Sequence, residues 1–137
     1  MAVLLDSGFL FAALNSSENE HARVVEVLKG IREPIIFPIP AITEVAYLIA
    51  RDSGNEAAAD FISSLSTTEL TLEAPMSEDY ARAAELLRQY ADANLDFVDA
   101  LIAAIAERLN IETLLTLDRR DFQLIRPKHC DAFQLLP

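Results

Sequence analysis

The chain has 137 residues, with 22 Asp and Glu against 11 Lys and Arg, a net charge of −11, 52% hydrophobic residues and three glycines. That size and apolar content suit one domain with a core of its own and exclude a disordered chain, while the acidity argues against a nonspecific nucleic-acid binder, which is normally basic. A lone cysteine (Cys130), a start without the basic flank of a secretory signal and the lack of any long uncharged apolar run point to the reducing cytoplasm and to no membrane span.

Val3-Leu4-Leu5 is a short apolar run ending at Asp6 and predicts a buried strand. Gly8 to Leu14 reads as a compact apolar turn of helix. Ser16-Ser17-Glu18-Asn19-Glu20 predicts a cap and an acidic first turn for a helix to about Leu28, with Gly30 at its end. Pro34 to Pro38 reads as a second strand, and Pro40 opens a helix to about Arg51 that Asp52-Ser53-Gly54-Asn55 breaks. A helix from Glu56 to Leu65 and a weaker strand from Glu69 to Leu72 follow. Ser77-Glu78-Asp79 caps a helix to about Tyr90, and another runs from Asp96 to Leu109. Thr113 to Leu117 reads as a strand ending at Asp118, and a last short strand lies at Ala132 to Leu135. Strands alternating with helices predict a single α/β domain over residues 1–137, a short parallel sheet with helices on both faces.

Several chemistries are absent. Gly8, Gly30 and Gly54 build neither a GxGxxG or P-loop phosphate cradle nor a GxSxG nucleophile elbow. His21 and His129 form no HExxH, and Cys130 lies in a polar stretch without a catalytic partner; packing or surface roles suffice for all three.

The informative residues are acids that interrupt apolar sequence. Asp6 ends the first strand, Glu44 is the only charge between Pro34 and Ala50, Asp96 and Asp99 open an apolar helix, and Asp118 follows Leu114-Leu-Thr-Leu117. A charge in such surroundings is costly unless paired, hydrogen-bonded or bound to metal. Ligands of parallel α/β sheets bind beyond the carboxyl ends of the strands, where Asp6 and Asp118 lie and where the early helical acids Glu44 and Asp99 can converge. Converging carboxylates repel and raise one another's pKa, and a hard divalent cation, Mg²⁺ or Mn²⁺, resolves that repulsion. Each acid taken alone has an ordinary reading as a turn residue, a helix cap or a solvated edge; the joint pattern favours the metal. At about 100° per residue, Asp99 borders the stripe of Val98, Ile102, Ile105 and Leu109, and Asp96 lies roughly 60° further round. Asp99 is therefore the better inner ligand, with Asp96 a cap or outer-shell acid. Asp118 ranks above Asp121, which follows Arg119 and Arg120, and Asp121 is left to the outer shell.

With these residues in place the sequence resembles the PIN-domain ribonucleases, and among them the VapC toxins of type II toxin–antitoxin pairs. The matching pieces are Leu4-Leu-Asp-Ser-Gly-Phe9, Thr43-Glu-Val45, Asp96-Phe-Val-Asp-Ala-Leu-Ile-Ala-Ala-Ile105 and Leu115-Thr-Leu-Asp-Arg-Arg-Asp-Phe122, in the family's order across nearly the whole chain. The tail, Arg126-Pro-Lys-His129 and Ala132-Phe-Gln-Leu-Leu-Pro137, resembles one subgroup. The resemblance implies a three-layer PIN domain and a Mg²⁺-dependent endoribonuclease whose acidic quartet is Asp6, Glu44, Asp99 and Asp118. It also implies a homodimer, silenced by a cognate antitoxin that covers the active site.

Charge is uneven along the chain. From Asp118 onward, Arg119, Arg120, Arg126 and Lys128 face three acids, Asp118, Asp121 and Asp131, whereas the preceding residues are strongly acidic. Arg119 and Arg120 adjoin Asp118 and are expected to contact RNA phosphates. The alternative is a noncatalytic module holding Mg²⁺ around a phosphoacceptor Asp. It needs a lysine at a strand end, and neither Lys29 nor Lys128 is predicted there.

Overall fold

In the computed structural model, which describes residues 1–137, Val3–Leu5 forms strand β1 with all three side chains buried. Successive side chains of a strand point to opposite faces, so Val3 and Leu5 join one apolar cluster and Leu4 the other. A strand covered on both faces is apolar throughout, without polar alternation. The chain continues through α1 (Ser7–Leu14), α2 (His21–Gly30), β2 (Ile35–Pro38), α3 (Ile39–Ser53), α4 (Asn55–Ser64), β3 (Thr71–Glu73), α5 (Ser77–Gln89), α6 (Phe97–Leu109), β4 (Thr113–Leu115), α7 (Arg119–Leu124) and β5 (Gln134–Leu136). The five strands make one parallel sheet in the order β3-β2-β1-β4-β5. Leu4 pairs with Ile36 on one side and Leu114 on the other.

The sheet is the middle of three layers, as the alternation of strands and helices predicts. Phe9 of α1, Val24 of α2, Val45 of α3 and Phe61 of α4 pack with Val3, Leu5, Phe37 and Leu115 on one face. Leu86 of α5, Leu101 and Ile105 of α6 and Phe122 of α7 pack with Leu4 and Leu114 on the other. Helix α6 is buried without interruption from Asp99 to Ala106, an unusual position for its first residue. Its charged end is tied to α5: the Arg82 guanidinium donates to both Glu107 oxygens at 2.7 and 3.0 Å, and Arg108 donates to Asp79 and Glu73.

Several local expectations shift. The acids Glu18 and Glu20 lie in the turn before α2, and the first turn of that helix carries none. The third and last strands, Thr71–Glu73 and Gln134–Leu136, each start two residues later than read from the sequence. The fourth strand stops at Leu115, because the Asp118 backbone N–H donates to the Thr116 hydroxyl at 3.0 Å and turns the chain into α7. That helix is missing from the sequence reading, although Asp118-x-x-Asp121 has the spacing of an N-cap followed by an acid three residues on. Gly54, with φ of +88°, separates α3 from α4 as expected from the break there. No helix is long and apolar enough to cross a membrane.

Candidate metal centre

A crevice opens at the carboxyl edge of a parallel sheet where neighbouring strands send their connections to opposite faces. β1 and β4 are such a pair: α1 after β1 packs into one apolar cluster, and α7 after β4 packs into the other. The residues that leave these two strands therefore stand on either side of the crevice.

Asp6 leaves β1 and caps α1, accepting from the Ser7 backbone N–H at 2.7 Å. It is only 4% exposed. Its other oxygen accepts the Thr116 hydroxyl at 2.7 Å. Thr116, fully buried, thus donates to Asp6 while accepting from the Asp118 N–H, joining the ends of β1 and β4. Glu44, one and a half turns into α3, accepts the Ser7 hydroxyl at 2.7 Å and so faces Asp6 across that serine.

Asp96 and Asp99 come from the start of α6. Asp96 is its N-cap, accepting from the Val98 and Asp99 N–H groups at 3.1 and 3.3 Å. Asp99 is buried, and its Oδ2 has no hydrogen-bond partner. Asp118 caps α7, accepting from the Asp121 N–H at 3.4 Å. Asp121 is as deeply buried as Asp99 and accepts from the Asp96 N–H at 3.3 Å and from Arg120 at 2.6 Å. Carboxylate oxygens of Asp99, Asp118 and Asp121 lie within 4.8 Å of one another. Asp6, Glu44, Asp96, Asp99 and Asp118 line a single hollow of about 450 Å³, together with Ser7, Gly8 and Leu117.

The electrostatics follow from this crowding. Burial pushes Asp6 up to about 6 from the ordinary 3.8; the Thr116 hydroxyl and Ser7 N–H oppose the rise, and the Glu44 and Asp118 charges add to it. Burial drives Asp99 higher still, to about 11, with the neighbouring Asp118, Asp6 and Asp121 carboxylates contributing. Buried carboxyl groups that cannot all ionise, one with an unpartnered oxygen, form an all-oxygen donor set suited to a hard divalent cation. Asp6, Glu44, Asp99 and Asp118 converge on this hollow, with Asp96 at its edge. Asp121 comes closer to Asp99 than its place after two arginines suggests, because one helical turn returns it beside its own cap. Sequence reasoning missed Ser7 and Thr116, whose hydroxyls orient Glu44 and Asp6. Thr116 reads as an ordinary strand residue, and only the pairing of β4 with β1 gives it a carboxylate to hold.

The remaining singled-out residues lie elsewhere or are already engaged. Arg120 is held between Asp121 and the Ala93 carbonyl. Arg119 donates to the Pro137 main-chain oxygen at 3.1 Å. His21 bonds the Ala12 carbonyl and His129 the Ile111 carbonyl. Burial raises the Cys130 thiol above its ordinary value, keeping it in the less nucleophilic form. Lys128 sits by Glu85, and neither it nor Lys29 lines the carboxylate hollow. A second hollow of equal volume, lined by Phe11, Leu14, Ile49 and Phe61, contains a single carboxylate, Asp60.

The sequence profile described as PIN domain matches residues 3–126. Ribonuclease VapC26 of Mycobacterium tuberculosis is 27% identical over 135 residues, covering 98% of this chain and all of the relative. Among solved structures, VapC20 of Mycobacterium tuberculosis, a toxin described as cleaving the sarcin-ricin loop, superposes with a TM-score of 0.80 at 19% identity, over 87% of this chain and 92% of that one. VapBC2 of Rickettsia felis, solved bound to a promoter DNA fragment, gives 0.71 at 18% identity over 98% and 97% of the two chains. With its parallel sheet and its acids set at the β1/β4 edge, the chain belongs to the PIN domain family.

Proposed function

We propose that this chain is a Mg²⁺-dependent endoribonuclease, the toxin of a VapBC-type toxin–antitoxin pair, acting as one domain over residues 1–137. Asp6, Glu44, Asp99 and Asp118 are its metal-holding acids, with Asp96 and Asp121 in the outer shell and Mn²⁺ as a substitute cation. The observation that carries this reading is the buried Asp99 Oδ2, unpartnered among acids that converge on one hollow. The names of VapC26, a ribonuclease, and VapC20, a sarcin-ricin loop cleaving toxin, support the substrate class. A homodimer, a cognate antitoxin over the hollow and a cytoplasmic location complete the reading.

A divalent cation held by Asp6, Glu44, Asp99 and Asp118 would supply Lewis acidity and positive charge for attack on a phosphodiester. The protein's part is to hold the acids in place. Ser7 fixes Glu44, Thr116 fixes Asp6, and Asp96 shapes the turn that presents Asp99. Asp6 and Asp99 must release protons before they ligate, so cation affinity is expected to rise with pH.

The direct experiment induces the chain in a host cell and maps new RNA ends, beside Asp6→Ala. Discrete new ends from the parent and none from the variant are expected; cleavage by the purified protein in excess EDTA overturns the reading. Thr116→Val keeps the side-chain shape but leaves the Asp6 oxygen and the Asp118 N–H without their hydroxyl. It is expected to reduce cleavage about 10- to 100-fold by raising the Mg²⁺ requirement, while Thr116→Ser restores it. A magnesium titration of the cleavage rate checks both variants.

A further inference from the structure

A phosphodiester strand approaching a chain of charge −11 needs local cations; of the nine arginines four are engaged elsewhere, and Arg32, Arg88 and Arg126 do not line the hollows at the end of β4. Arg82 and Arg108 are locked in carboxylate pairs between α5, α6 and the end of β3. Arg51 pairs with Asp52 at the far end of α3, and Arg120 is engaged by Asp121 and the Ala93 carbonyl. Arg23 of α2 and Arg119 of α7 are different. They come from opposite layers of the fold and line one hollow of about 200 Å³, with Thr116, Leu117, Glu20 and Pro137. Leu117 also lines the carboxylate hollow, and Thr116 is the residue that holds Asp6, so the two hollows adjoin along the end of β4.

Neither arginine is held there by a buried Asp or Glu. Arg23 makes only a surface pair with Glu20 at 3.2 Å, its side chain 62% exposed, and such pairs hold their partners weakly. Arg119 has no Asp or Glu partner and donates to the main-chain oxygen of Pro137 at 3.1 Å. The hollow has the volume of about six waters, room for the five heavy atoms of a phosphate group. Glu20 is the one acidic side chain that lines it.

We propose that Arg23 and Arg119 form a phosphate-binding subsite for the RNA strand, gripping a phosphodiester that neighbours the one held at the carboxylate cluster. This rests on the nuclease reading for the identity of the strand. It assigns the local positive charge to a pair from two layers, with Arg120 serving instead to hold Asp121. Planar guanidinium forks suit such recognition because each presents two parallel donors to phosphate oxygens.

The test uses the full chain carrying Asp99→Asn, so that RNA is bound and not cut, in Mg²⁺ with a fluorescent mixed-sequence single-stranded RNA of about 20 nucleotides. Arg23→Ala and Arg119→Ala are each expected to weaken binding about 3- to 10-fold and to lower the slope of log affinity against log salt by about 0.7. Glu20→Gln is expected to tighten binding, and Arg51→Ala to leave it unchanged. Failure of the Asp99→Asn parent to bind the probe overturns the proposal. So do unchanged affinity and slope in the arginine variants, or an equal loss in Arg51→Ala, which marks a diffuse field. Because binding is read without cleavage, the subsite can stand while hydrolysis fails, and mapped RNA ends without these binding losses show the reverse.

Discussion

Asp99→Asn is expected to abolish metal-dependent RNA cleavage and, in the absence of metal, to make the protein more stable. Both effects come from one atom group. The Asp99 carboxyl is buried among Asp6, Asp118 and Asp121 and is held protonated at neutral pH. Keeping it so at pH 7, against an ordinary value of 3.8 in the unfolded chain, costs about 4 kcal/mol. An asparagine amide of nearly the same shape carries no such cost and can donate to the acids around it. The variant should therefore gain about 2–4 kcal/mol at pH 7, or roughly 6 °C or more in melting temperature. The gain should shrink to under about 2 kcal/mol at pH 5, where protonating the parent costs only about 1–2 kcal/mol. Activity moves the other way, because the amide offers a cation a neutral oxygen in place of a carboxylate. A loss of at least about 100-fold is expected, the upper end of what a mere supporting residue costs. Thermal melts of both proteins in EDTA at pH 5 and 7, with cleavage assays in Mg²⁺, measure both halves. A variant that is less stable at pH 7, or that keeps its activity, contradicts the assigned role.

The metal-free parent is expected to become more stable as pH falls from 7.5 to 5, the reverse of ordinary acid sensitivity. Asp6 has a folded value of about 6, above its ordinary 3.8, so the folded state binds the extra proton between those values. Its contribution is fully present below pH 3.8, declines through the window up to 6, and is lost above it. The difference is about 3 kcal/mol for Asp6 over the whole window, roughly half of it between pH 7.5 and 5, and Asp99 acts with the same sign throughout that range. Groups with the opposite sign, such as Glu107 beside Arg82, are held below 4.5 and act only in stronger acid. Mg²⁺ should cancel the loss at pH 7.5 by binding the ionised acids, and should do little at pH 5 where they are protonated. Denaturation in EDTA and in 10 mM Mg²⁺ across this range distinguishes the outcomes. A metal-free stability that rises from pH 5 to 7.5 contradicts the picture of crowded, cation-seeking carboxyls.

The two predictions share a cause with the chain's overall acidity. Part of the net charge of −11 belongs to a cluster that is not fully ionised without a cation and is neutralised further with one. Counting those acids as a barrier to RNA therefore overstates the repulsion. What remains places the burden of strand binding on a few local cations. Arg23 and Arg119 are the pair whose hollow adjoins the cluster.

Composition and order in the sequence determined the layer plan and most of the candidate site. Val3-Leu4-Leu5 and Leu114-Leu115 are apolar on both faces, which demands a covered parallel sheet, and an acid stranded at the end of such a run demands a partner. For that reason Asp6, Glu44, Asp99 and Asp118 were legible as a set before any contact was known. Periodicity separated Asp99 from Asp96 for a similar local reason: one faces the packed stripe, and the other sits at the helix's open first turn. Only the tertiary structure decided what holds those acids. The register that sets β4 beside β1 brings Thr116 to Asp6 across 110 residues, and the entry angle of α3 brings Glu44 to Ser7. It also decided the standing of Asp121 and the pairing of Arg23 with Arg119. Spacing along a chain fixes which residues share a helix turn or a strand face, but contacts between layers depend on how the layers dock.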